Sequence, residues 1–331
     1  MARYDVITLG ETMLRLTPPG LRRLEQATTL ELEVGGTESN LAIGLARLGL
    51  RVLWLSRLTA NPLGRLIAHT IAGHGVDTSR VVWTNDDRVG LLFFEEGRAP
   101  RGSRVFYDRQ HSAVSQMQPH DLPDDLFHPE GAYLLHISGI TLALGPHLNA
   151  TAHKAVQLAK SAGWQLSFDV NYRQQLWSPA DALQGCDAVA RAADILFVPR
   201  SDACTLYGFD PTTMAEPLLM ALAERYPQAT IVMTLGADGA IGCAPQGSPV
   251  WQAAFPAQEV GRLGGGDAFA AGFLFRYLTT TQPEQRLPQA LQWGAASAAL
   301  KYSILGDMAL IDRQEVETLI ARGTDGPQLL R

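Results

Sequence analysis

The sequence predicts an α/β fold: an open, mainly parallel sheet with helices on both faces and a small β-sheet standing off it. Three observations carry that prediction. Apolar runs of strand length recur along the chain, helical periodicities that end on glycine lie between them, and two stretches switch to an alternation of period two.

The runs are Val6–Leu9, Val52–Leu55, Leu134–Ile137, Gln165–Phe168, Ile195–Val198 and Ile231–Thr234. Each has the length and apolarity of a strand buried in a parallel sheet. Leu41, Leu45 and Leu48 fall at i, i+4 and i+7 and stop at Gly49, and a second helical pattern runs from Thr151 to Ala162 and stops at Gly163. Glycine stands in both cases where a C-cap would end the helix. Strand alternating with helix over short connections favours neighbouring strands and right-handed crossovers. The stretches at about 12–34 and 88–117 break this rhythm with period-two patterns and Pro/Gly-rich turns, as a small projecting sheet would. In the second of them Val105, Tyr107 and Arg109 share one face, because successive strand side chains point to opposite sides. No internal repeat is visible, and the tail from Arg322 is expected to be disordered.

At 331 residues the length suggests two domains on average, but α/β sheets often use a whole chain of this size as one. With 27 Lys+Arg against 33 Asp+Glu, a net charge of −6 and no basic block, neither nucleic acid nor an acidic membrane is expected as the main partner. Small ligands remain open. No apolar run approaches the roughly 18 residues of a membrane helix, and Met1-Ala-Arg-Tyr-Asp leads into a strand without a signal-peptide layout, so a cytoplasmic location is expected. Cys186, Cys204 and Cys243 are odd in number and widely spaced, which argues against a disulfide framework or a zinc site. The eight histidines, His111 and His136 among them, show no metal-ligand spacing and are expected in core or surface roles.

Polar residues gather after the strands. Gly10-Glu11, Ser138-Gly139, Asp169 with Asn171 and Arg173, Asp202, and Leu235-Gly236 each follow one of the apolar runs. Carboxyl ends of strands are where open parallel sheets bind ligands, so five exits point to one crevice. The strongest local signal is Gly264-Gly265-Gly266-Asp267, opening a helical stretch with Phe269, Phe273 and Tyr277 at i, i+4 and i+8. Three glycines at a helix start let backbone N–H groups close around a polyanion. Asp267 then either complements the helix start, or meets a substrate hydroxyl as it attacks phosphorus. Other site signatures are missing: there is no G-x-x-x-x-G-K-S/T, no G-x-G-x-x-G after the first strand, no G-x-S-x-G and no H-E-x-x-H.

These residues carry a resemblance over nearly the whole chain to the ribokinase-like (PfkB) carbohydrate kinases. Gly35-Gly36-Thr-Glu-Ser-Asn40 resembles the family's N-terminal Gly-Gly-x-x-x-Asn segment, Thr234-Leu-Gly-Ala-Asp-Gly239 its nucleotide-side loop, and Gly264–Gly272 its C-terminal signature. Within the family the chain is most similar to 2-keto-3-deoxygluconate kinases, through Ser103–Ala113, His136–Thr141 and Phe168–Trp177.

The resemblance implies one ribokinase-like domain over 1–331, a β-lid from about 12–34 and 88–117, and ATP-dependent phosphorylation of a sugar acid at its terminal hydroxyl. Carried over by position, Asp267 would be the general base and Gly264, Gly265 and Gly266 the hole for the transferring phosphate. Gly35, Gly36 and Asn40 would line the sugar site, with Tyr107, Arg109, Arg173 and Asp307 holding the acid sugar. Asn171, Asp202, Thr234, Gly236, Ala237 and Gly239 would face ATP. A guanidinium fork suits the carboxylate of a sugar acid, though either arginine could equally be a surface residue. Mg²⁺ is expected, held mainly through ATP and water with no dedicated protein ligands, and Asp202 is the carboxylate placed to touch its hydration shell. A homodimer joined through the lid is expected, because pairing would protect strand edges. The departures lie near the phosphates: Gly261-Arg-Leu263 replaces the usual Asp-Thr-Thr, Pro199-Arg-Ser-Asp202 replaces Asn-x-x-Glu, and Ala295 replaces a common Asn. A neutral-sugar kinase of the fructokinase kind, or a sugar-acid-binding protein with weak phosphotransfer, are the alternatives.

Overall fold

A computed structural model describes residues 3–323. From the start of the chain, β1 (Tyr4–Leu9) leads into β2 (Met13–Thr17), β3 (Glu31–Gly35) and helix α1 (Thr37–Arg47). Next come β4 (Val52–Leu55), β5 (Arg57–Thr59), α2 (Pro62–Gly73), β6 (Val82–Thr84), β7 (Leu91–Glu95) and β8 (Arg104–Asp108). The middle of the chain forms β9 (Ala132–Ser138), α3 (Gly139–Ala143), α4 (Pro146–Ser161), β10 (Gln165–Asp169), α5 (Pro179–Ala192), β11 (Ile195–Phe197) and α6 (Arg200–Tyr207). It closes with α7 (Ala215–Arg225), β12 (Thr230–Thr234), β13 (Ala240–Cys243), β14 (Val250–Gln252), α8 (Gly265–Thr279), α9 (Pro283–Tyr302) and α10 (Arg313–Arg322).

All six predicted strands stand side by side in one eight-stranded sheet of order β14-β13-β12-β11-β10-β9-β1-β4, and every pairing among those six is parallel. The sequence reading missed the antiparallel edge, β12-β13-β14. A turn as short as Gly236–Asp238, with Gly236 and Gly239 at positive φ, can return the chain only beside the strand it left. It also missed the separate parallel pair of β5 and β6.

The expected lid is present as a four-stranded sheet of order β3-β2-β7-β8. Along β8 the predicted alternation holds, with Val105 and Tyr107 half-buried, Arg109 buried just past the strand end, and Arg104, Phe106 and Asp108 exposed. Both glycine stops also hold: Gly49 and Gly163 follow α1 and α4 at φ of 106° and 80°. Arg322, where the disordered tail was expected to begin, closes α10, and the tail beyond Gly323 lies outside the described residues.

Alternate residues of the central strands feed two separate cores. Ile7, Leu9, Leu53, Leu55, Leu135 and Ile137 pack with α4, α5 and α7 on one face, while Val6, Val52, Trp54 and Leu134 pack with α1, α8 and α9 on the other. A sheet buried on both faces offers ligands only its strand ends. His136 is a core residue, its Nδ1 2.9 Å from Ser167 Oγ. The three cysteines are unpaired. Among the described residues no helix is long and apolar enough to cross a membrane.

Candidate active site

β1 ends at Leu9 and the chain turns into the lid; β3 brings it back at Gly35 directly into α1. The lid is thereby hinged over the carboxyl ends of β1, β9 and β10, and a polar crevice lies beneath it. Lid residues Met13, Leu92 and Tyr107 form one wall of that crevice, and Gly35, Gly36, Asn40, Asp169, Asn171 and the glycine turn form the other. A second cavity, an apolar slot, runs away from the crevice between α9 and the segment that follows β14. Ala254, Phe255, Ala295, Ala298, Ala299 and Tyr302 line it, and Thr234, Gly236 and Gly239 close one side. Gly265 and Gly266 border both cavities.

The glycine turn has a separate reason for each residue. Gly264 is the N-cap of α8 at φ 78°, where an L side chain is strained, and a Cβ there would also collide with the carbonyl of Asp307. A Cβ on Gly265 would sit 2.6 Å from the Tyr302 ring. On Gly266 it would meet no protein atom within 4 Å, so the space above that residue is available to a ligand. Asp267 does not cap its own helix. Its Oδ1 accepts from Thr37 Oγ1 at 2.5 Å and its Oδ2 from Asn40 Nδ2 at 2.7 Å, so the start of α1 grips the carboxylate of α8. Asn171, at φ 39°, extends the chain by donating from Nδ2 to Thr37 Oγ1 at 3.0 Å. Burial raises the Asp267 carboxyl above its ordinary range, opposed by those two hydrogen bonds and by the charges of Arg173 and Lys301.

The predicted substrate residues Gly35, Gly36, Asn40, Tyr107, Arg109, Arg173 and Asp307 all line the crevice. Arg109 is neither free nor solvated: it is buried in an ion pair with Glu11, its Nε donating to Glu11 Oε2 at 2.7 Å, and its guanidinium lies 5.1 Å from the Tyr107 ring centroid. Arg173 is exposed, donating from Nη1 to the Tyr172 carbonyl at 3.0 Å. Asp307 lies against Gly35, where any Cβ would strike its Oδ2, and 3.3 Å from Arg15 Nε. On the nucleotide side, Asn171 lines the crevice together with the glycine turn, Ala237 is exposed on its turn and lines neither cavity, and Asp202 is buried and lines neither. Both Asp202 oxygens are engaged, Oδ2 by the Tyr172 N–H and Oδ1 by Ser201 Oγ.

Sequence reasoning passed over Glu38. Its Oε1 accepts from the Ser138 N–H and from the hydroxyls of Ser138 and Thr141 at 2.6–3.1 Å, and burial pushes its carboxyl up to about 7. The available signal was an acid in the first turn of a helix with an otherwise buried face. Asp169 is the second perturbed acid, pushed up to about 8 by burial and by the neighbouring carboxylates of Asp202 and Asp267.

A hydrogen-bonded carboxylate beside a glycine-lined helix start, with room for a hydroxylated ligand on one side and a flat apolar one on the other, defines a phosphotransferase acting on small alcohols. The chain belongs to the pfkB family of carbohydrate kinases, whose profile matches residues 4–312. It is 39% identical over 323 residues to a 2-dehydro-3-deoxygalactonokinase of Haloferax volcanii, covering 97% of this chain and 98% of that one. It is 28% identical over 301 residues to a 5-dehydro-2-deoxygluconokinase of Geobacillus kaustophilus, covering 90% and 88%. The crystal structure of a 2-dehydro-3-deoxygluconokinase of Thermotoga maritima superposes with a TM-score of 0.88 at 28% identity, covering 97% of this chain and 99% of that one. The chain is a sugar kinase, with ATP as the co-substrate that its family implies.

Proposed function

We propose that this kinase phosphorylates a six-carbon keto-deoxy sugar acid at its terminal hydroxyl, with 2-keto-3-deoxygluconate the first candidate. The observation that carries the reading is the meeting of slot and crevice at Gly265 and Gly266, beside Asp267. A purine suits a slot lined by alanines and by the rings of Phe255, Phe269 and Tyr302. ATP supplies the phosphoryl group. Thr37 and Asn40 hold Asp267 for the hydroxyl proton, and the α8 start offers its N–H groups to the phosphate. For Mg²⁺, among the described residues no cluster of three ligating side chains exists, and Asp202 is already engaged. That donor set fits an ion carried by phosphate oxygens and water.

An acid substrate is supported by the three relatives, each of which bears the name of a dehydro-deoxy sugar-acid kinase. Crevice electrostatics agree. Arg109, Arg173 and Arg262 line it beside Glu11, Glu38, Asp169, Asp267 and Asp307, and burial pushes Glu38 up to about 7 and Asp169 up to about 8, so those two oppose a carboxylate less than their residue types suggest. The Arg109–Glu11 pair favours a second reading, a neutral sugar, because it leaves Arg173 as the more available cation. A coupled ADP-release assay over 2-keto-3-deoxygluconate, its galacto epimer, 5-dehydro-2-deoxygluconate, fructose and ribose separates the two. The acids should exceed the neutral sugars by about tenfold or more in kcat/KM; fructose or ribose matching the best acid would overturn the proposal. The working assembly is a homodimer paired through the lid, whose Leu32 and Phe106 are each nearly half exposed.

A further inference from the structure

Lys301, in the last turn of α9, is the one lysine among the described residues that is fully buried. Lysine is almost never buried without a counter-charge. Here no carboxylate lies within 4.0 Å among the described residues; Nζ instead donates to two main-chain carbonyls, Ile304 at 3.1 Å and Gly261 at 3.5 Å. Ile304 follows α9, but Gly261 belongs to the distant segment that enters the glycine turn, so capping of its own helix does not account for the ammonium. The two segments are laced at the same point by main-chain bonds from the Val260 and Gly261 N–H groups to the Tyr302 carbonyl, at 2.7 and 3.3 Å. Next along the chain, the Tyr302 ring and the Asp307 carbonyl are the groups packed against Gly265 and Gly264. The end of α9 and the loop after it therefore form the wall on which the glycine turn rests, with an ammonium built into it.

We infer that Lys301 is a positioning residue for phosphoryl transfer: its ammonium is an internal cation that clamps the Gly261 and Ile304 carbonyls together, and so sets the glycine turn and adds positive potential beneath it. Burial pulls its proton affinity down, while the Asp307 and Asp267 carboxylates help to keep it charged. The inference rests on the reading that the turn holds the transferring phosphate. Preorganised charge and N–H groups act chiefly on the transition state, so the loss should fall on kcat.

The test compares Lys301→Met, Lys301→Ala and Gly266→Ala with wild type, each checked for native circular dichroism. Met keeps the apolar stem and removes the charge; kcat should fall about thirtyfold or more, with the sugar KM changed less than about threefold. Ala leaves a carbonyl-lined space, and ammonium or methylammonium chloride should restore about tenfold of the lost turnover where tetramethylammonium chloride, too large to enter, restores none. Should Met fail to fold, the Ala variant refolded in ammonium and in tetramethylammonium salts gives the same decision. Turnover of Lys301→Met above about a third of wild type, or equal rescue by both salts, would overturn the role of Lys301. Gly266→Ala distinguishes this from failure of the underlying reading: the added methyl meets no protein atom, so full activity there would show that the turn holds no phosphate.

Discussion

Asp267 shows how a single side chain is assigned by its partners. An aspartate in the first turn of a helix is ordinarily read as a response to the helix dipole, but this one spends both oxygens on Thr37 and Asn40, residues more than 200 positions away. Asp267→Asn keeps the size and removes the base, and turnover should fall by about two orders of magnitude or more with ATP binding largely retained. Isothermal titration with ATP and the ADP-release assay measure the two; a variant with a tenth or more of wild-type turnover, roughly, returns Asp267 to a structural role. Glu38 and Asp169 give a pH prediction. Their folded pKa values, about 7 and about 8, lie above the ordinary carboxyl range, so the folded state keeps protons that the unfolded chain has lost. Their stabilising share is complete below about pH 4 and is lost as pH rises towards 8, at up to about 1.4 kcal/mol per pH unit for each carboxyl. Urea midpoints at pH 5.5 and 7.5 should therefore differ less in Asp169→Asn than in wild type, and identical differences would contradict the burial argument.

Among elements, the lid and the main sheet are joined by an ion pair as well as by chain. Glu11 stands just after β1 and Arg109 just after β8, so their buried contact ties the far lid strand to the sheet. Removing one partner of a buried pair leaves the other charge unpaired, at about 3–5 kcal/mol. Arg109→Leu should thus lower the urea midpoint and raise KM for acid and neutral sugars together, and adding Glu11→Gln should recover much of the stability. Arg173→Leu removes an exposed cation and should leave stability unchanged while raising KM for acid sugars alone. If acid and neutral sugars respond alike to Arg173→Leu, that arginine does not read the carboxylate.

On the scale of the whole molecule, the lid has one face in use. Its inner residues cover the crevice, while Leu32 and Phe106 lie outward and the outer edges of β3 and β8 have no strand beside them among the described residues. Light scattering at micromolar concentration should give a dimer, and Leu32→Glu with Phe106→Glu should give a monomer. A wild-type monomer would remove the lid interface.

The amino-acid sequence by itself determined the parallel sheet, both glycine helix stops, the lid and the glycine turn with its aspartate. Each is written in neighbouring residues: strand apolarity, helical and period-two spacing, and the freedom of glycine are all local properties. The antiparallel edge was harder to read, because β13 and β14 are short and ordinary in composition. Tertiary structure alone decided what the charged groups do. Arg109 looked like a free fork for a carboxylate until Glu11, 98 residues earlier, was found against it. Asp202 looked available until the Tyr172 N–H took one oxygen. Lys301 and Glu38 look like any surface charges in one dimension, yet both are buried. Burial and charge pairing depend on which distant segments meet in space, and local spacing carries no record of that.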